Sequence, residues 1–342
     1  MAHDRATVSG EFRLGEEPAV AVGAAIDAVD PGAGRAAGEN FPVALRLLPA
    51  SRRQYLMAVY RFARTADDIG DQAPPDQRAR LLDELEADLR RLYAGRDGAR
   101  GPGGPGRDGD PGDQSHTGTR ARADGDGPPP TLGGGGAEPG SHVVGALGPA
   151  VTDCGIPMQP FLDLIQANRQ DQVVSRYQTF EDLVGYCRLS ANPVGRIVLY
   201  VFGSFSRQRA ELSDSICTAL QLAEHWQDVA EDLRAGRIYL PAQDLDTFGC
   251  TEQDLAQPSA PPPVRALIAF ETRRARALLD AGAPLIGTLR GAARAAVAGY
   301  VAVGRAALAA IAAADHDVLR ATPRPRKRRV AAEQALAYAR GR

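Results

Sequence analysis

Apolar side chains recur at the spacing of an α-helix along most of this 342-residue chain. In the stretch that follows PASRRQ, one helix face is formed at i, i+3, i+4 spacing by Leu56, Val59, Tyr60, Ala63 and Ala66. Later segments repeat this pattern, and no run of alternating apolar and polar residues with hairpin turns interrupts them. The sequence therefore predicts an all-α fold, a single domain of roughly ten helices.

Composition limits the class of protein. Hydrophobic residues make up 44% of the chain, which is enough for a sizeable core. The formal net charge of −2 gives no reason to expect a nucleic-acid partner. The four cysteines are scattered without C-x-x-C spacing, and the N-terminal region lacks the apolar core of a secretory signal. We therefore expect reduced thiols and a cytoplasmic location.

The chain divides into blocks of different composition. Residues 1–36 resemble a loose leader, and residues 37–322 carry the helical pattern. Residues 95–142 interrupt that pattern with Gly, Pro, Asp and Arg, so almost nothing in them can be buried. Their glycines do not fall at every third position, which excludes collagen. We predict a disordered insertion in a loop between two helices.

Two segments raise the question of a membrane. Residues 295–314 are apolar, but Arg305 interrupts them, so we predict a buried helix and not a membrane span. Residues 323–342 contain RPRKRR and are predicted to form a basic, solvated tail. The alternative for this tail is weak peripheral contact with the anionic inner face of a membrane, at about 1 kcal/mol per basic residue.

Carboxylates occur where the helical pattern points inward. Asp67 and Asp71 are four residues apart and so share a helix face, and Asp67 continues the stripe of Val59, Tyr60 and Ala63. Such spacing more often marks a solvated acid pair, but here the phase favours the interior. Because an unpaired buried carboxylate is costly, these side chains need cations or must be protonated.

The same arrangement recurs in LQLAEHWQDVAED. Asp228 and Asp232 are four residues apart, Glu224 lies one turn earlier, and Gln221 precedes it. The neighbouring apolar stripe contains Leu222, Trp226, Val229 and Leu233. Two such helices facing each other would line a cavity with four or five carboxylates, which are the hard oxygen ligands that suit Mg²⁺ bound to a phosphorylated substrate. Arg64 and Arg237 are candidates for holding the phosphate oxygens.

Several segments together resemble the squalene/phytoene synthase family of prenyl-transfer enzymes. They are ENFPVALRLLP (39–49), VYRFARTADDIGD (59–71), YCRLSANPVGR (186–196) and LQLAEHWQDVAEDLRAGRIYLP (220–241). Within the family, the chain is most similar to the bacterial branch that forms hydroxysqualene for hopanoids. The resemblance implies a single helical bundle around a deep apolar cavity with the acids at its mouth.

The resemblance also implies roles for individual residues. Two or three Mg²⁺ ions would be held by Asp67, Asp71, Glu224, Asp228 and Asp232. The diphosphate and its prenyl chain would be bound by Tyr60, Arg64, Arg188, Asn192, Gln221, Arg237 and Tyr239. The four motif aspartates and Tyr60 would be the catalytic set.

Three positions depart from the family pattern. Glu224 stands where relatives that make squalene or phytoene carry Asn, and Arg188 stands where an aromatic residue is common. Glu39 occupies a place where those relatives often have a basic residue. These changes fit a branch that handles one substrate diphosphate instead of two.

The implied reaction starts from presqualene diphosphate, which a partner synthase could hand over. Ionisation would be assisted by Mg²⁺, and water would trap the rearranged cation as hydroxysqualene. No G-x-G-x-x-G follows a strand, so we expect no NADPH. The alternatives are head-to-head synthesis of squalene, dehydrosqualene or phytoene from two allylic diphosphates, and a non-catalytic assembly factor, which would not be expected to keep both aspartate pairs.

A di-iron bundle is a further possibility for a helical protein with buried acids. Such sites use Glu-x-x-His pairs, and none of the five histidines has Glu three residues earlier. His225 is therefore predicted to be a packing residue.

Overall fold

The computed structural model describes residues 49–99 and 139–341. Fourteen helices account for 77% of this part of the chain, and it contains no strand beyond a single bridge between Arg176 and Ile238. The predicted all-α class is confirmed. The leader at residues 1–36, the Glu39 position and most of the predicted insertion lie outside the described residues.

The helices, in chain order, have the following bounds. They are α1 (Ala50–Asp71), α2 (Pro75–Ala99), α3 (Pro139–Cys154), α4 (Gln159–Gln170), α5 (Phe180–Ser190), α6 (Asn192–Val201), α7 (Arg207–Gln227), α8 (Val229–Arg234), α9 (Ala242–Phe248), α10 (Glu252–Leu255), α11 (Pro262–Gly282), α12 (Leu285–Thr288), α13 (Gly291–Ala313) and α14 (Lys327–Arg340). Helix α2 continues to Ala99 and α3 begins at Pro139, so both ends of the segment predicted as an insertion are helical.

Helix α7 lies at the centre of the bundle, packed against α6, α11 and α13. Its apolar stripe ends at Trp226, which is fully buried. On the other side of the core, Phe62 of α1 meets Phe161 of α4 edge to face, with ring centroids 5.1 Å apart. These contacts hold α1 and α7, the two helices with the aspartate pairs, in one core.

Local signals set several helix ends. Thr179 and Asp182 form a reciprocal capping box at the start of α5, which satisfies backbone N–H groups that the helix itself cannot pair. Pro193 lies in the first turn of α6, where its missing N–H costs nothing. Gly236 follows α8 with φ of 82°, a left-handed conformation that glycine adopts without a steric penalty.

The C-terminal region differs from the prediction of a solvated tail. Residues 327–340 form α14, which packs along α13. Val330 and Ala337 are buried, and Ala302 and Ala306 of α13 form the surface beneath Val330. The small side chains of α13 let the second helix approach closely, so a narrow apolar stripe is sufficient for docking despite the basic residues around it.

Helix α13 is long and apolar enough to cross a membrane, by length and composition alone. However, 61% of its apolar window is buried within the fold, where it packs against α7, α11 and α14. Neighbouring helices thus cover most of the apolar window of α13, as we predicted for a buried helix.

Candidate active site

The first aspartate pair lies at the end of α1. Asp67 is half-buried, and its Oδ1 accepts a 3.0 Å hydrogen bond from Nδ2 of Asn168 on α4. Burial, with a further contribution from the charge of Asp71, raises the pKa of Asp67 to about 6. The inward direction inferred from the helical phase is therefore present in the structure for Asp67.

Asp71 is more exposed and reaches across the site. Its Oδ1 accepts a 2.8 Å hydrogen bond from Nη2 of Arg237. Arg64, one turn before Asp68, forms an ion pair with that residue at 3.0 Å. Thus Arg237 hydrogen-bonds a carboxylate of the first aspartate pair, whereas Arg64 forms its ion pair with Asp68, which is not a member of that pair.

The second aspartate pair lies at a break between helices. Helix α7 ends at Gln227, and Asp228 is the N-cap of α8, so Glu224 and Asp232 lie on two successive helices and not on one. Burial raises the pKa of Asp228 to about 6 and, together with the charge of Asp228, that of Asp232 to about 7. Burial is the main cause of both shifts, and the like charges of Glu231 on Asp228 and of Asp228 on Asp232 add to them.

The turn after α8 places Arg237. The N–H of Gly236 donates to the carbonyl of Leu233 at 3.0 Å, and the N–H of Arg237 donates to that of Asp232 at 2.8 Å. This pair of bonds is the Schellman pattern of a helix end. The next residue, Ile238, donates to the carbonyl of Ser175 at 3.0 Å, which ties the turn to the segment after α4.

That segment contributes an acid that the sequence reading missed. Asp171, the C-cap of α4, accepts a 2.9 Å hydrogen bond at Oδ2 from the hydroxyl of Tyr186, and its buried Oδ1 has no hydrogen-bond partner. Burial raises the pKa of Asp171 to about 7, while the charge of Arg237 opposes the shift. Asp71 and Asp67 also act on it electrostatically, so Asp171 belongs to the same acidic cluster.

Aromatic side chains form one wall of this cluster. Tyr239 stacks on His225 with centroids 3.6 Å apart and lies 5.9 Å from both Tyr177 and Tyr186. Burial and the nearby charge of Arg237 lower the pKa of His225 to about 3, so its ring is neutral at ordinary pH. His225 packs as predicted, but it also borders the site, with Nδ1 4.0 Å from Oδ2 of Asp232.

Gln221 lies one turn further into the core. Its Nε2 is 3.3 Å from Nε2 of His225, so the amide donates to the ring nitrogen in the tautomer protonated at Nδ1. Its Oε1 is buried and has no hydrogen-bond partner. An oxygen acceptor therefore remains available on the side of α7 that leads to the aspartates.

Asn192, Arg188 and Tyr60 are the remaining residues predicted to bind the substrate. Asn192 is buried at the start of α6, where its Oδ1 accepts a 3.0 Å hydrogen bond from Thr218. Arg188 is exposed on α5, and Tyr60 is half-buried on α1, one turn before Arg64. In the described part of the chain, no hydrogen bond or ion pair joins any of these three residues to Arg237.

A small apolar cavity lies beside α7. It has a volume of about 30 Å³, and α7 contributes Ser213, Ile216, Cys217 and Leu220 to its lining. This face of α7 continues toward Gln221 and Glu224, so the cavity lies below the acids. Pockets for drug-sized ligands are usually about 300–1,000 Å³, so a prenyl chain requires side chains to move apart here.

The side chains present determine which metal ion this acidic cluster could hold. Within the described ranges, no three His, Cys, Asp or Glu side chains are grouped closely enough to hold a metal ion. The donors nevertheless have the right chemistry, because five carboxylates and the unpaired Oε1 of Gln221 are hard oxygen ligands. Burial is the main cause of the raised pKa values of Asp67, Asp171 and Asp232, and a cation bound beside them would favour their ionised forms. The residues fit Mg²⁺ by type and charge.

Comparison with known proteins gives consistent results. The family model described as squalene/phytoene synthase matches residues 35–331. A hydroxysqualene synthase of Rhodopseudomonas palustris is 33% identical over 257 residues, which cover 74% of this chain and 72% of that protein. A 15-cis-phytoene synthase of Synechococcus elongatus is 29% identical, with coverage of 70% and 68%.

A solved structure supports the same grouping. The crystal structure of squalene synthase HpnC from Alicyclobacillus acidocaldarius superposes with a TM-score of 0.66 at 36% identity, covering 86% of this chain and 94% of that one. The fold and the acid-lined site define a helical-bundle protein of the isoprenoid-synthase type. The chain belongs to the squalene/phytoene synthase family, whose members are head-to-head isoprenoid diphosphate synthases.

Proposed function

We propose that this enzyme ionises presqualene diphosphate with the help of Mg²⁺ and releases hydroxysqualene and diphosphate. The observation that carries the proposal is the position of Arg237. It hydrogen-bonds Asp71 of the first pair, and its charge acts on Asp232 of the second pair and on Asp171 at the end of α4. A cation among acids, beside aromatic rings, is suited to a diphosphate leaving group on an apolar carbon skeleton.

The diphosphate end of the substrate would lie at Arg237. Its guanidinium already donates to one anionic oxygen, that of Asp71, and its remaining N–H groups can donate to phosphate oxygens. Mg²⁺ would be held by Asp67, Asp71, Glu224, Asp228 and Asp232, with Asp171 as an added candidate. When bound, it supplies positive charge that stabilises the leaving diphosphate.

The carbon skeleton would lie on the aromatic side. The C–O bond would break with its electron pair on the diphosphate, which leaves a cyclopropylcarbinyl cation. Opening and rearrangement of the cyclopropane would then give an allylic cation, and electron-rich ring faces would stabilise both cations. Tyr177, Tyr186 and Tyr239 offer such faces beside the acids. One water then forms the new C–O bond and loses a proton, which gives the hydroxyl group of the product.

Relatives favour this reaction over the alternatives. Hydroxysqualene synthases from two organisms match at 33% and 31% identity, and the 15-cis-phytoene synthase matches at 29%. The second candidate is therefore synthesis of phytoene or a related hydrocarbon from two allylic diphosphates. We further propose that the enzyme needs no NADPH, works in the cytoplasm or at the inner membrane face, and receives its substrate from a presqualene diphosphate synthase in a hopanoid route.

Product analysis separates the candidates. Purified protein is incubated with Mg²⁺ and, separately, with presqualene, farnesyl or geranylgeranyl diphosphate, without NADPH. Mass spectrometry should find hydroxysqualene from presqualene diphosphate, with one ¹⁸O atom when the reaction is run in H₂¹⁸O. A C40 hydrocarbon from geranylgeranyl diphosphate would favour the second candidate, and no product from any substrate would favour a non-catalytic protein.

A further inference from the structure

A cleft lined by arginines lies at the far end of α1 from the aspartates. Its volume is about 400 Å³, and it is bounded by the start of α1, the loop between α6 and α7, and the start of α13. Arg52, Arg209 and Arg290 contribute to its lining, and none of the described residues that line it is acidic. Because Arg52 precedes Asp67 by fifteen residues, the two sites are roughly 22 Å apart along the helix axis.

Among the described residues, no carboxylate compensates the positive charge of this cleft. Elsewhere in the fold, arginines are commonly neutralised by acids, as in the pairs Arg196–Asp214 and Arg305–Asp280. In the part of the chain that the structure describes, Arg52, Arg209 and Arg290 form no ion pair. Three unpaired guanidinium groups in one concave space create a positive potential that attracts small anions.

The guanidinium groups are partly fixed by the protein. Arg209 donates to the carbonyl oxygens of Ser204 and Thr288 at 3.0 and 2.7 Å and to Oγ1 of Thr288 at 3.2 Å. Arg52 donates from Nη1 to the carbonyl oxygen of Phe202 at 3.1 Å. Each guanidinium has five N–H donors, so both keep donors for a ligand while the backbone carbonyls hold their planes. Arg290 is exposed and completes the rim.

Backbone donors add to these side chains. Ala292 and Ala293 in the first turn of α13 line the cleft, and no side chain caps this helix at Arg290. The first N–H groups of a helix have no partner within it, and they favour anions. The backbone N–H groups at the start of α13 and the arginine side chains therefore both favour a bound anion.

We propose that this cleft binds a phosphoryl group, either a free phosphate or diphosphate ion or the headgroup of an anionic phospholipid. Paired N–H donors of arginine match the tetrahedral oxygens of a phosphoryl group. Beside the cleft, Phe205 is 40% exposed and stacks on Tyr200 at 4.1 Å, which offers an apolar contact next to a bound headgroup. This proposal does not depend on the proposed reaction.

Arginine-selective labelling tests the site in the full-length protein. Phenylglyoxal is added in EDTA, with phosphate, with diphosphate, with vesicles of phosphatidylcholine, or with vesicles containing phosphatidylglycerol, and labelled peptides are quantified by mass spectrometry. At an anion concentration of about ten times Kd, labelling of Arg52 and Arg290 should slow about tenfold by mass action. Arg273, exposed on α11 and outside the cleft, should label at an unchanged rate.

The pattern of protection identifies the source of the phosphoryl group. Protection by free ions alone assigns a soluble ligand, and protection by phosphatidylglycerol vesicles alone assigns a lipid headgroup. The proposal is overturned if neither protects Arg52 and Arg290, or if Arg273 is protected equally. As a second measurement, Arg290→Gln should weaken binding of the protecting ligand severalfold, Arg273→Gln should not, and equal effects of the two variants would also overturn it.

Discussion

Nη2 of Arg237 lies 2.8 Å from Oδ1 of Asp71, a residue 166 positions earlier in the chain. This contact joins the end of α1 to the turn after α8, and so it links the two aspartate pairs. The turn itself is fixed by Gly236 and by the bond from Ile238 to Ser175. The geometry of the site therefore depends on a single arginine whose position is set by the backbone around it.

Replacing this arginine should disable the site without unfolding the protein. We expect Arg237→Gln to lower kcat by about 10²–10³-fold, the range for losing one donor that stabilises developing charge. Arg234→Gln, an exposed position on α8, removes the same charge three residues away and should retain activity. Steady-state kinetics at matched Mg²⁺ would contradict this role if the two variants behaved alike.

Asp171 should matter as much as the motif aspartates. Asp171→Asn removes one charge from the acidic cluster while leaving an oxygen that can accept from Tyr186. We expect activity to fall by at least about tenfold, whereas the Tm stays equal or rises because a buried charge is removed. Asp163→Asn, on the same helix, is the matched control. A normal rate in Asp171→Asn would show that this residue is only structural.

A buried acid outside the site should control stability against pH. Burial raises the pKa of Glu271 to about 8, with a hydrogen bond to Asp244 adding to the shift and Arg274 opposing it. A raised folded pKa means that the stabilising effect of the proton is complete below about pH 4.5 and is lost as pH rises through about 8. Each unit of this shift corresponds to about 1.4 kcal/mol.

Glu271→Gln is the variant that tests this linkage, because Gln stays neutral and its amide can donate to Asp244. Its Tm relative to wild type should increase as the pH rises from about 5 to about 8 and should level off above that. Glu181→Gln, an exposed position, should show no such trend. A constant difference between Glu271→Gln and wild type across this pH range would mean that Glu271 is already ionised.

Close approach of α7 and α11 should make one glycine irreplaceable. A Cβ at Gly282 would lie 2.6 Å from the carbonyl oxygen of Leu212 and 2.9 Å from the nitrogen of Ile216. Because these are backbone atoms, Gly282→Ala should cost about 1–3 kcal/mol, as overpacking does. Gly185→Ala, where no atom lies within 4 Å, should stabilise α5 by up to about 1 kcal/mol. Urea unfolding that ranks these variants in the opposite order would refute the packing argument.

The sequence predicted the helical class and the inward direction of Asp67, because hydrophobic periodicity determines which face of a helix is buried. It did not reveal Asp171, Asn168 or Tyr186. These residues come from α4 and α5 and meet the motifs only through tertiary packing, so no spacing in the chain connects them. Asn168 and Asp171 are polar residues at the end of α4. Polar residues at helix ends are common in all proteins, so this feature alone could not mark them as site residues.

Two features of the helices were misread for related reasons. The sequence does not reveal the break at Asp228, because DVAED continues the helical pattern. An aspartate in this pattern is compatible both with a helix interior and with an N-cap. Helix α14 was taken for a tail because its basic residues obscure the two buried positions, Val330 and Ala337. Its docking depends on the small side chains of α13, which cannot be inferred from the tail alone.

If carboxylates from both pairs act with Mg²⁺ on a prenyl diphosphate, the reaction requires both pairs and the metal ion. The most direct measurement is release of diphosphate from presqualene diphosphate by wild type, Asp67→Asn and Asp228→Asn, with Mg²⁺ and with EDTA. We predict release only by wild type with Mg²⁺, with losses of at least about 10³-fold in both variants and unchanged circular dichroism. Release that persists in EDTA, or near-normal rates in either folded variant, would contradict the account.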